Sequence, residues 1–287
     1  MKLLIFIITI LCSVISFAQS SGDILFIGFN ADGDKDFSII TMVDIPPNTT
    51  IYFTDNEPNL AGDGNMGSEG VLKWNTGTSV IKKGSVIVFS DVDSALNPSF
   101  GCSVGVLSVV DAGFNISSSG DVLYASYGNP ADGNVAKWIC GIQNSNTSLE
   151  ANFSATGLSI TSDYVVINNT ASKDGGEYSG TRTGKTIEDY KALILNEENW
   201  VTSTTDGEKF VPFNQTPFSF LTLSLVNHKD DNISVNVVNH KIVTNKGSVL
   251  DVFNMLGQKQ ENSQLSQGLY IVGVIYKSNR YYIKILI

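Results

Sequence analysis

Thr49-Thr50-Ile51-Tyr52-Phe53-Thr54-Asp55 alternates β-branched and aromatic residues, the pattern of a β-strand. Its neighbours repeat the theme. Residues 23–29 and 37–43 read as strands separated by the turn-rich Asn30-Ala31-Asp32-Gly33-Asp34-Lys35-Asp36. The segment Asp44-Ile45-Pro46-Pro47-Asn48 must turn, because proline cannot donate to a central ladder. Further apolar runs at 71–74, 80–81, 85–90, 101–110, 113–116, 121–127, 135–142 and 164–167 keep a spacing of eight to twelve residues. The expected fold is all-β, a large sandwich or open barrel.

One body segment breaks the rhythm. Ile187, Tyr190, Leu193 and Ile194 fall on one helical face behind Thr186 as N-cap, with Asp189 three residues on. A short amphipathic helix is expected there, with Trp200 buried after it. A lone helix argues against a parallel βαβ architecture.

At 287 residues, 42% of them apolar, the chain can hold one large or two ordinary cores. Lys2, an apolar run over 3–17 and Ser16-Phe17-Ala18 read as a signal peptide over residues 1–18, too short for a stable membrane span. The body, 19–221, carries 10 Lys and Arg against 24 Asp and Glu, a net of −14; the tail, 222–287, has 7 against 4, a net of +3. An acidic body repels phosphate backbones and anionic lipid, so nucleic acid is not expected as a partner. A polar linker is expected around 226–231.

Export leaves Cys102 and Cys140 with two readings, two buried thiols or a disulfide closing a loop of 39 residues, which would contribute about 3 to 4 kcal/mol. Both histidines, His228 and His240, lie beyond the body, which deprives a Ser-His-Asp or Cys-His mechanism of its base. Asn30, Asp32, Asp34 and Asp36 alternate as hard-cation ligands do, so calcium is the one cofactor to consider. Lys35 and Thr41 occupy the positions where a helix-loop-helix calcium site has Gly and Glu, and a solvated turn is the alternative.

Asp55, Glu57, Asp63 and Glu69 stand in or beside a loop with four glycines, residues 56–70. Two of them at acid-base spacing would suit a glycosidase-like hydrolase. Trp74, Trp138, Tyr127 and Tyr178 are the aromatics nearest loops; each serves either as a sugar-stacking platform or as core. Asp93-Ser94-Ala95 fits a short O-glycosylation pattern of Bacteroidetes-type bacteria.

In the tail, strands are expected at 249–253, 269–276 and 281–287, the last two joined by a turn over 277–280. Asn254, Gly257 and Gln258, then Gly268 and Tyr270, then a final strand bearing Lys284, resemble the C-terminal sorting domain of the type IX secretion system of Bacteroidetes. That resemblance implies a small Ig-like sandwich recognised by outer-membrane secretion machinery, and a secreted or cell-surface destination. The chain departs from the family pattern in having no proline after Pro217 and in ending Ile285-Leu286-Ile287, which bears on whether the tail is removed. Residues 22–57 and 69–74 are loosely similar to lamin-tail-like and Ig-like modules of secreted bacterial proteins, implying an accessory role without catalytic residues. The expectation for the body is non-catalytic binding or adhesion toward a polysaccharide or surface component. A carboxylate-based extracellular hydrolase and a surface-layer structural protein are the alternatives.

Overall fold

The structure is a computed structural model that describes residues 20–145, 149, 151–167, 171–221, 233–254, 256–263 and 265–287. The expected signal peptide, the linker at 226–231 and His228 lie outside these. The chain divides into two compact units, residues 1–221 and 222–287. It is all-β with one α-helix among the described residues.

Fourteen strands belong to the first unit: β1 (Ile24–Asn30), β2 (Asp36–Thr41), β3 (Thr50–Thr54), β4 (Val71–Asn75), β5 (Val86–Ser90), β6 (Gly101–Cys102), β7 (Val106–Asp111), β8 (Val122–Tyr127), β9 (Lys137–Gln143), β10 (Tyr164–Val166), β11 (Gly175–Tyr178), β12 (Thr183–Lys185), β13 (Trp200–Ser203) and β14 (Ser219–Phe220). Twelve form two six-stranded sheets, ordered β13-β11-β1-β2-β5-β6 and β10-β9-β8-β3-β4-β7. Pairing is antiparallel except between β9 and β10. Strands β12 and β14 make a separate parallel pair.

Aromatic side chains hold the two sheets together. Phe37 of β2 stacks on Phe89 of β5 at 4.5 Å and meets Phe53 of β3 edge-on at 4.9 Å. Trp74 of β4 meets Phe89 edge-on at 5.3 Å, so each sheet contributes to one ring cluster. Every residue of β1 is buried, which is why it reads as an unbroken apolar run rather than an alternation. Its sheet's outer face is covered in part by Phe210 and Phe213, which pack on Val88.

The helix α1 (Ile187–Leu195) forms as its local signals require. Thr186 Oγ1 accepts from Asp189 N–H, and the Asp189 carboxylate accepts from Thr186 N–H. Tyr190 and Ile194 are buried, and Trp200 is buried with its indole N–H donating to Ile194 O at 2.8 Å.

Two of the strands expected in the body need revision. The run 101–110 is two strands, β6 and β7, which lie in different sheets, because Ser103, Val104 and Gly105 cross between them. Residues 113–116 are not a strand; they pass the end of the sandwich, with Phe114 and Ile116 in the core.

The second unit has a hairpin, β15 (Val235–Val238) and β16 (Lys241–Thr244), turning through Asn239 and His240, both at positive φ. A four-stranded sheet follows, ordered β18-β17-β19-β20, from β17 (Ser248–Asn254), β18 (Lys259–Gln260), β19 (Leu269–Tyr276) and β20 (Asn279–Leu286). The turn between β19 and β20 is two residues, Lys277 and Ser278 at positive φ, rather than the expected four. Ile242, Val252, Val272 and Val274 anchor this unit's own core.

Replacing Phe37 by Ala should cost the body about 3 to 5 kcal/mol in urea denaturation, because it empties the centre of the ring cluster. A loss under about 1 kcal/mol would show that the cluster does not hold the sheets together.

Candidate functional site

The strand alternation in β3 sends Ile51 and Phe53 into the core and leaves Thr50 and Tyr52 half-buried on the outer face. Opposite Tyr52 lie Lys73 of β4 and Ser126 of β8, and beyond Lys73 lies Ser108 of β7. Half of this outer face is roofed. Val122, Tyr124, Trp138, Leu158 and Tyr164 form a small second core there. Trp138 Nε1 donates to Gly62 O at 2.7 Å, Asn152 Nδ2 donates to Pro58 O at 3.0 Å, and Val135 N–H donates to Asp63 O at 2.8 Å. The glycine-rich loop 56–70 is therefore pinned to the sheet rather than projecting from it. Its far end is seated by Gly70, where any Cβ would collide with the Phe114 backbone.

The open half, on β3, β4 and β7, presents Thr50, Tyr52, Lys73, Asn75 and Ser108 as a mainly polar face with one aromatic ring, bordered by exposed Val106 opposite Asn75. Tyr52 was not among the sequence candidates, although its place opposite Ile51 and Phe53 in the alternation was the signal for it. The aromatics that were candidates are all buried. Trp74, Trp138, Tyr127 and Tyr178 pack in the core, with Tyr127 Oη donating to Asp23 at 3.3 Å and Tyr178 Oη to Thr181 O at 3.0 Å.

The four loop carboxylates do not line a common cleft. Asp55 is only 3% exposed; its Oδ2 accepts from Asn115 N–H at 2.8 Å, and its Oδ1 has no hydrogen-bond partner among the described residues. Burial, reinforced by the charges of Asp121 and Glu69, pushes its pKa up to about 8. Glu69 is also raised, by partial desolvation first and then by Glu57. Asp63 points elsewhere, accepting from Asn59 Nδ2 at 2.9 Å. The two cavities described in the body are lined by other residues. One, of about 10 Å³, lies beside Phe29 and Asp121; the other, of about 390 Å³, is bordered by Asp34, Asp36, Asp91 and Glu208.

The candidate calcium ligands are tied to protein donors. Asn30 Nδ2 donates to Asp36 Oδ2 at 3.1 Å and to Asp34 O at 2.8 Å, while Asn30 Oδ1 accepts from Asp32 N–H. Asp32 Oδ2 accepts from Gly207 N–H, and Asp36 Oδ1 from Asp91 N–H. Burial raises the Asp36 pKa against these bonds, with Asp91 and Asp34 adding like charge. Among the described residues no three His, Cys, Asp or Glu side chains are placed to hold a metal ion.

The disulfide alternative is corrected, since both cysteines are free. Cys102 sits in β6 opposite Phe89 and donates to Val104 O at 3.1 Å, whereas Cys140 is fully buried in β9 opposite Ala125, in the other sheet. Burial raises both thiol pKa values. Ser94, of the glycosylation pattern, lies half-buried in the loop after β5, beside exposed Asp93 and Ala95.

In the tail the sorting-like residues are brought into two turns and an edge. Asn254 Oδ1 accepts from the N–H groups of Leu256 and Gln258, its Nδ2 donates to Gln258 Oε1, and Gly257 supplies φ +77°. Gly268 exchanges both backbone bonds with Ile287, and Tyr270 Oη donates to Ser266 O. Lys284 is exposed on β20. Met255, within the same stretch, lies outside the described residues. No helix among the described residues is long and apolar enough to cross a membrane.

No family model matches the chain, and no curated protein matches it. Among solved structures the chain is similar to HBP35 of Porphyromonas gingivalis, at 15% identity over 92% of this chain and 63% of that one, with a TM-score of 0.20. A superposition of that quality carries neither fold nor function.

The Asp55 shift has a defined consequence for stability. Its folded pKa, about 8, lies above the 3.8 of the ordinary carboxyl, so between these values the folded chain holds a proton that the unfolded chain has released. Stability from this group is intact below about pH 4 and is lost as pH rises to 8. Asp55→Asn should flatten that decline in urea denaturation and exceed the parent at pH 8 by at least about 1.4 kcal/mol, the equivalent of one pKa unit. A variant whose stability falls as steeply as the parent's over this window would remove Asp55 as the cause.

Proposed function

We propose that the body is a non-catalytic binding module of a secreted or cell-surface protein, and that the open half of the β3-β4-β7 face receives a polysaccharide or similar surface component. The observation that carries this reading is Tyr52. It is the half-buried aromatic on the open outer face, with half-buried Lys73 opposite it and exposed Ser108 beyond as hydrogen-bonding neighbours. A ring so placed can cover the C–H face of a sugar while polar neighbours fix its hydroxyls. The hydrolase alternative is disfavoured by Asp55, whose burial keeps it from a polymer chain.

The tail, on this proposal, is the export address, supported by the order of Asn254, Gly257, Gln258, Gly268, Tyr270 and Lys284 and by a sandwich-like unit with its own core. The protein would then leave the cell through outer-membrane secretion machinery.

A glycan array probed with the full chain should reveal at least one polysaccharide whose binding drops tenfold or more in Tyr52→Ala, with an unchanged thermal midpoint. Binding that ignores Tyr52, or no retained glycan, would reject the face as the site. Deleting residues 222–287 should leave the body folded but held in the periplasm, and appearance of that truncated chain outside the cell would reject the sorting role.

A further inference from the structure

Among the described residues β7 is the longest of the strands that end the two sheets, and its edge is open from Ser108 onward. Its six residues exceed the four of β13, two of β6 and three of β10, the other strands that end the two sheets. Leu107 stands opposite Trp74, and its N–H is turned away from β4 toward the Cys102 sulfur. Alternation along an antiparallel ladder turns the Val109 N–H outward as well, and among the described residues no backbone bond beyond the β4 pairing reaches it. Sheet edges in soluble proteins are ordinarily guarded by lysine, proline or an inward charge. The β7 strand has none of these; it shows Val106 at 64% exposure, with Val109 and Val110 also exposed, and keeps only a bulge near Asp111.

Charge decides the occupant. The C-terminal end of β7 is Asp111, paired with Val71 two residues after Glu69, and the body around it carries a net of −14. A second copy would bring another acidic body to the same edge, which like-charge repulsion opposes. We infer that the β7 edge takes up an extended polypeptide strand of a different protein, apolar and β-branched in the middle and carrying lysine or arginine at the end that meets Asp111. Main-chain hydrogen bonds to the Val109 region would supply affinity, and the flanking charge would supply selectivity. The edge borders the Tyr52 face, since Val106 and Ser108 of β7 belong to both, but the main-chain groups it would use are not part of that face.

The test uses the full chain and two seven-residue probes, Val-Thr-Val-Thr-Val flanked by lysines or by glutamates. The lysine-flanked probe should bind at least tenfold more tightly in calorimetry and slow hydrogen exchange at Val109, while a version of it N-methylated along one edge should not bind. Val109→Pro should lose the binding with the β4 pairing intact; should that variant misfold, the exchange result on the parent still decides. Equal binding of both probes, no protection at Val109, or protection of Val109 without any probe in a chain that sediments as a dimer would each overturn the proposal.

Discussion

The contact between Phe37, Phe89, Phe53 and Trp74 is the constraint that the body depends on. These rings come from both sheets and meet at 4.5 to 5.3 Å. With one face of each sheet committed to this cluster, whatever the strands present to the outside is set by parity. Tyr52 and Lys73 face out because Phe53 and Trp74 face in. The half of that outer face that stays open is selected by a second and smaller core, in which Trp138 and Tyr164 draw loops down onto β8, β9 and β10.

Legibility in the sequence followed the range of the interactions. The helix could be read because its capping box spans three residues and needs nothing from elsewhere. Most apolar strands could be read because the period of two is local. The strand β11 could not, since Gly175 and Gly176 carry no pattern; at Gly175 the Gly207 backbone approaches too closely for a side chain, and at Gly176 the Phe29 ring leaves only a tight fit. The fate of the loop carboxylates was equally hidden. Asp55 owes its burial to a bond with Asn115, 60 residues away, and the loop's attachment depends on a Trp138 bond spanning 76 residues.

The abundance of carboxylates has a structural meaning. Asp32 and Asp36 each accept from distant backbone N–H groups, so that the loop after β1 and the start of β2 are stapled to Gly207 and Asp91. Asp44 similarly accepts from Lys83 N–H and pairs with the Lys82 ammonium. Loops that could not bury apolar surface are ordered instead by side-chain oxygens that satisfy backbone donors. The alternation of Asn30, Asp32, Asp34 and Asp36 that suggests cation ligands is accounted for by such bonds at three of its four residues.

The turn at Asn254 carries a further meaning for the tail. Asn254, Gly257 and Gln258 spend their side chains or their backbone freedom on the turn itself, Gly268 is occupied with Ile287, and Tyr270 is buried; Lys284 is the one of the six that projects freely. On the proposed export role, an apparatus handling this module would therefore meet its contour more than its letters. Damage to the lettering would surface as a shortage of correctly shaped molecules, a defect of manufacture rather than of delivery.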